Sequence, residues 1–135
     1  MRDRIAAAGA SDRIQFVGAR ENVLDIMTAS YVLAAPILQE ETFGNVALEA
    51  RSVGLPVVTF ARGGLTELVS HGGTGFVCAS ADLDGLLDGL RHFLARPDER
   101  AAASARSLAA ASAPDNDCTP GEFERRWWAM FGKAS

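Results

Sequence analysis

Residues Tyr31 to Ala61 read YVLAAPILQEETFGNVALEARSVGLPVVTFA. A short β-rich run, Tyr31 to Ile37, opens this stretch, and a second, Pro56 to Ala61, closes it. Between them Phe43, Val46, Ala47, Ala50 and Val53 recur at helical spacing. The strand residues are continuously apolar, as at Val32-Leu33 and Val57-Val58. That pattern suits strands covered on both faces, and a connection of this length suits a right-handed crossover between parallel neighbours.

The same alternation continues on either side. Arg13 to Gly18 and Thr74 to Ala79 are further β-rich runs, most of them bounded by Gly, Pro or Ser. Val23, Leu24, Ile26 and Met27 form one helical stripe, and Leu65, Leu68 and Val69 a shorter one. Asp82 to Arg96 is an amphipathic helix through Leu83, Leu86, Leu87, Leu90, Phe93 and Leu94. Pro97-Asp98-Glu99 opens an Ala-rich helix that runs to Ala111. The fold class is therefore α/β, a Rossmann-like parallel sheet with flanking helices. Residues 1–113 form the expected domain. Residues 114–135 add a loop, Pro114 to Gly121, and a C-terminal helix carrying Phe123, Trp127, Met130 and Phe131 on one side, with Trp128 beside them.

Composition narrows the function. With 135 residues, 48% hydrophobic and 22% charged, the chain is long enough for one domain with a core. Thirteen basic against 17 acidic residues give a net charge of -4, which excludes a generic basic nucleic-acid binder. Cys78 and Cys118 stand far apart without a C-x-x-C pair, which excludes a disulfide scaffold and a zinc ribbon. The longest apolar run, Tyr31 to Leu38, falls short of the ~18 residues of a membrane span. The start, Met1 to Ala10, is too short for a signal peptide. A soluble, cytoplasmic chain is the expectation.

In open α/β sheets ligands bind beyond the carboxyl ends of the strands, which points to the loops after Ile37 and Ala61. In the first loop Thr42 is placed to cap the helix, and Gly44, in its first turn, lets a ligand approach backbone amides that the helix leaves unpaired. Such a helix start attracts phosphate. Glu41 and Glu49 flank it, and carboxylates accept hydrogen bonds from sugar hydroxyls. Either glutamate alone is equally at home as an ordinary helix residue. The second loop carries Gly63-Gly64, a turn or a cradle. His71-Gly72-Gly73-Thr74-Gly75 precedes a strand, so turn geometry explains its glycines; His71 reads as a loop residue and His92 as structural.

These segments together resemble a known family. ETFGNVALEA from Glu41 to Ala50, GLPVV from Gly54 to Val58, GGLTELV from Gly63 to Val69, then Gly72 and TGFV from Thr74 to Val77 closely resemble the carboxy-terminal domain of retaining GT-B glycosyltransferases, "glycosyl transferases group 1". The pattern covers residues 13 to 96. It includes two Glu separated by seven residues, which Glu41 and Glu49 match, and Phe16-Val17-Gly18 and the Asn22-Val23 helix also fit.

The resemblance implies transfer of a sugar from a nucleotide-sugar to an acceptor hydroxyl with retention, without an essential metal or other cofactor. It assigns Glu41, as the catalytic residue, to the donor sugar's hydroxyls. The amides around Phe43, Gly44, Asn45 and Val46 fall to sugar and diphosphate, and Glu49 to the ribose. Gly63 and Gly64 line the same cleft, with Glu67 packing or orienting. The sequence departs from the family in Arg51-Ser52, where a small apolar pair is usual, and this puts a charge on the helix's outer face.

It departs further in what precedes. The family's domain begins with two more strands that separate the Arg13 to Gly18 strand from the Tyr31 to Ile37 strand, and an acceptor-binding amino-terminal domain comes before them. The expectation is a partial carboxy-terminal GT-B domain, inactive alone. It should show a gap or a non-native pairing at its first strand and open apolar surface around Trp127 and Trp128. The alternatives are a free-standing nucleotide or nucleotide-sugar binding module without catalysis, an inert remnant, and a nucleotide-sugar epimerase, against which the two-Glu signature argues. The base, the sugar and the acceptor are not legible.

Overall fold

The computed structural model describes residues 1–20, 22–38 and 44–113. Three strands, β1 (Leu33–Ala35), β2 (Val57–Phe60) and β3 (Gly75–Cys78), form a sheet in the order β1-β2-β3 with every pairing parallel. Helix α1 (Arg2–Ala7) and α2 (Leu24–Thr28) precede the sheet, and α3 (Asn45–Ser52) and α4 (Leu65–Leu68) carry the two crossovers. The chain then runs through α5 (Leu83–Ala95) and α6 (Pro97–Ala111).

The middle strand explains why the sheet forms. All four residues of β2 are buried, and successive side chains alternate between faces. Val57 joins a cluster with Met27, Ala47, Ala50, Leu65 and Val69 on the α2–α4 side. Val58 and Phe60 join Cys78, Phe93 and Ala103 on the α5–α6 side. Thr59 is the polar member of this strand, and its buried hydroxyl donates to the Ala35 carbonyl at 2.9 Å, which ties β2 to β1.

Helix α5 lies close on the sheet because its inward face carries Gly85 and Gly89. A methyl group on Gly89 would stand 2.5 Å from Val58 Cγ1 and 2.8 Å from Phe76 Cδ1. Asp82 caps α5: its carboxylate accepts from the Gly85 amide and the Ser80 hydroxyl, each at 2.8 Å. These two donors, the amide foremost, hold its carboxyl below the ordinary range. Helix α6 is tied to the turn before β3 by Arg106, which donates to the carbonyls of Gly73 at 2.8 Å and Gly72 at 3.1 Å.

The strand expected over Arg13 to Gly18 is not formed. A strand needs a neighbour to satisfy its backbone groups, and the three-stranded sheet offers this segment none. Ile14, Phe16 and Val17 are left exposed, and the Arg2 guanidinium covers the Phe16 ring at 4.6 Å. The expected gap or non-native pairing presumes a strand here, and among the described residues this segment forms none. Cys78 is buried, and burial pushes its thiol up. Cys118, Trp127, Trp128 and the whole of 114–135 lie outside the described residues.

Both histidines have structural partners that spacing alone does not reveal. His71 Nδ1 accepts from the Val77 amide at 3.2 Å, with its ring edge-on to Phe76. The Arg96 guanidinium, a donor only, stands 3.2 Å from His92 Nδ1, and His92 Nε2 lies 2.9 Å from Glu99 Oε2.

Candidate functional site

Ala35 pairs with Thr59 and Thr59 with Val77, so the carboxyl ends of the three parallel strands lie side by side. The chain segments that follow β1 and β2 leave from this common edge, where open α/β sheets hold their ligands. Two of them return as helices. The first re-enters at Gly44 to begin α3, and the second turns at Gly63-Gly64 to begin α4.

Gly44 occupies the N-cap position of α3 with φ +56°, one residue ahead of the first turn in which it was expected. A side chain there meets two obstacles: the left-handed backbone, and Leu68 Cδ1 at 3.0 Å from any Cβ. The Gly44 carbonyl accepts from the amides of Ala47 at 2.8 Å and Leu48 at 3.3 Å. The amides of Asn45 and Val46, ahead of those bonds, are left over by the helix. Gly44 makes no side-chain cap, and Thr42, the expected cap, lies outside the described residues.

Asn45 and Glu49 are both exposed and four residues apart, on one face of α3 and about 6 Å apart along its axis. Glu49 forms no salt bridge among the described residues. Val46 is half-buried and packs into the core, so it offers its amide and not its side chain. Gly63 is exposed with φ +59°, and its carbonyl accepts from the Thr66 hydroxyl at 3.0 Å. Gly64 caps α4. The walls touch: Leu65 and Leu68 of α4 stand against Gly44 at the head of α3. Glu67 is exposed and does not pack. Glu41 and Phe43 lie outside the described residues.

Arg51 departs from expectation. It does not project from the outer face of α3; its NH2 donates to the Leu68 carbonyl at 2.7 Å in a partly buried site. No sequence signal announces this contact, because it depends on where α4 crosses α3. Among the described residues no cluster of His, Cys, Asp and Glu could hold a metal ion, and no helix is long and apolar enough to cross a membrane.

A parallel α/β sheet with a glycine-opened helix and a Gly-Gly turn at its carboxyl edge defines a Rossmann-like class of domain. The chain belongs to the glycosyl transferases group 1 family, whose model matches residues 1–108. It is 40% identical over 114 residues to the lipopolysaccharide core biosynthesis mannosyltransferase LpsB of Rhizobium meliloti (strain 1021), covering 83% of this chain and 32% of that protein. It is 39% identical over 107 residues to the D-inositol 3-phosphate glycosyltransferase of Mycobacterium avium (strain 104), covering 78% of this chain and 25% of that one.

Among solved structures, Anabaena Alr3699/HepE in complex with UDP and glucose superposes with a TM-score of 0.84 at 25% identity, over 98% of this chain and 35% of that one. WaaG, a glycosyltransferase involved in lipopolysaccharide biosynthesis, superposes with a TM-score of 0.79 at 28% identity, over 97% and 35%. The chain thus spans about a third or less of the length of these relatives.

Proposed function

We propose that this chain is the donor-binding part of a retaining glycosyltransferase, which holds a nucleotide-sugar while its sugar passes to an acceptor hydroxyl. The observation that carries the reading is the edge at the ends of β1 and β2. There the leftover amides of Asn45 and Val46, the exposed carboxylate of Glu49 and the Gly63-Gly64 turn share one side of the sheet.

Each part suits a different piece of the donor. Glu49 accepts hydrogen bonds from the ribose hydroxyls. The start of α3 presents amides and the positive end of a helix dipole to the diphosphate. In transfer the bond between the anomeric carbon and the diphosphate oxygen breaks, the acceptor oxygen bonds that carbon, and the acceptor loses its proton. Negative charge grows on the departing diphosphate, where fixed N–H donors stabilise the transition state more than the bound substrate. Glu41, at the head of the two-Glu motif, is proposed to hold the sugar's hydroxyls as the catalytic residue. Residues 1–113 form the donor-binding domain and 114–135 its tail. A separate acceptor-binding domain completes the enzyme, so the chain alone binds donor without transferring sugar. UDP-glucose, seen with an Anabaena Alr3699/HepE structure, is the first donor to test.

The test is calorimetric titration of the full chain with UDP, GDP and ADP. One of the three binds, and Glu49→Ala abolishes binding with the thermal midpoint unchanged. Unaltered binding in Glu49→Ala defeats the site assignment. The second reading is a nucleotide or nucleotide-sugar binding module without catalysis. Transfer that appears when an amino-terminal domain of a relative is added decides for the enzyme.

A further inference from the structure

We infer that Arg51 is a positioning residue that fixes α4, and with it the Gly63-Gly64 turn, against the head of α3. The inference rests on the donor-site reading above and adds to that site a residue which makes no contact with the ligand.

Helix α4 is only four residues long, too short to hold its own direction. It is fastened to α3 through side chains and through its backbone. Leu65 and Leu68 press their side chains on Gly44, with Leu68 Cδ1 3.0 Å and Leu65 Cδ2 3.3 Å from the position of a Gly44 Cβ. At its end the Leu68 carbonyl, one of the acceptors a helix terminus leaves over, receives Arg51 NH2 at 2.7 Å. Gly44 and Arg51 lie near opposite ends of α3, so Leu68 is held from both, its side chain by the helix head and its carbonyl by the Arg51 side chain. Gly63-Gly64 leads directly into the fastened helix. The distance between the turn and the amides of Asn45 and Val46 therefore depends on a contact that Arg51 makes from the far end of α3.

Arg51 Nε and Nη1 are buried and find no hydrogen-bond partner among the described residues, so Nη2 is the atom that ties this side chain to α4. Methionine, of similar length, keeps the packing of the stem and removes the donor to Leu68.

Arg51→Met and Arg51→Lys in the full chain test this, read by amide exchange, thermal midpoint and titration with UDP, GDP and ADP. In Arg51→Met the thermal midpoint changes little, because the stem still packs. Exchange of the Val69 amide, which bonds the Leu65 carbonyl at 2.8 Å, accelerates about tenfold. Affinity for the bound diphosphate falls about five- to tenfold, and Arg51→Lys, which keeps one donor for Leu68, returns it to within about twofold. Unchanged Val69 exchange in Arg51→Met overturns the brace whatever the ligand does. Faster exchange with unchanged affinity overturns its link to the cleft. Midpoint and affinity falling together, without rescue by lysine, reduce Arg51 to a stabilising contact. Failure of the donor-site reading looks different: Glu49→Ala then binds like the unaltered chain, or no diphosphate binds at all, while Val69 exchange still responds to Arg51→Met.

Discussion

Gly44 concentrates two constraints in one residue, a φ of +56° and the leucines of α4 against the place where a side chain would begin. Gly44→Ala should cost about 1–2 kcal/mol from the left-handed backbone alone, read as a shift in the urea midpoint, and it should weaken diphosphate binding by moving α4. Asp82 makes a prediction of opposite character. The Gly85 amide and the Ser80 hydroxyl favour its ionised form, so its folded carboxyl titrates below the ordinary 3.8. Its contribution to stability is complete above that ordinary value and is lost as pH falls toward and through the folded value. Asp82→Asn keeps a capping oxygen but does not titrate there. The thermal midpoint of Asp82→Asn should therefore fall less steeply than that of the unaltered chain as pH drops below the ordinary 3.8.

At the scale of elements, α5 shows how small residues set a distance. Gly89 lies over Val58 and Phe76 with no room for a methyl group. Gly89→Ala should force α5 off the sheet at a cost of about 1–3 kcal/mol, where helix propensity alone would favour alanine. Chemical denaturation gives the sign directly. The sheet itself was legible: apolar runs at Val32-Leu33 and Val57-Val58 with a helical stripe between them become β1, α3 and β2 in parallel register. Arg13 to Gly18 was not, because β propensity describes a fit to neighbours and that segment has none in the sheet. The histidines show the same limit. His92 meets Glu99 only because α5 and α6 meet at a corner no pattern announces.

For the molecule as a whole, the carboxyl edge of the sheet was legible before any geometry as the place where the loops leave the strands. Alternating strands and helices dictate where loops gather, and the glycines at 44, 63 and 64 mark which of them begin helices there. Arg51 was read on the wrong face, since a contact across two helices has no local signature. The exposed Ile14, Phe16 and Val17 make a further prediction. Phe16→Ser should change stability by no more than about 0.5 kcal/mol while reducing binding of a hydrophobic dye. The measurement that bears most directly on the donor-site account is amide chemical-shift mapping of the full chain titrated with UDP-glucose. The account predicts shifts that saturate together at Asn45, Val46, Glu49, Gly63 and Gly64 and spare α6. Saturable shifts confined to other surfaces, with those five residues unmoved, would contradict it.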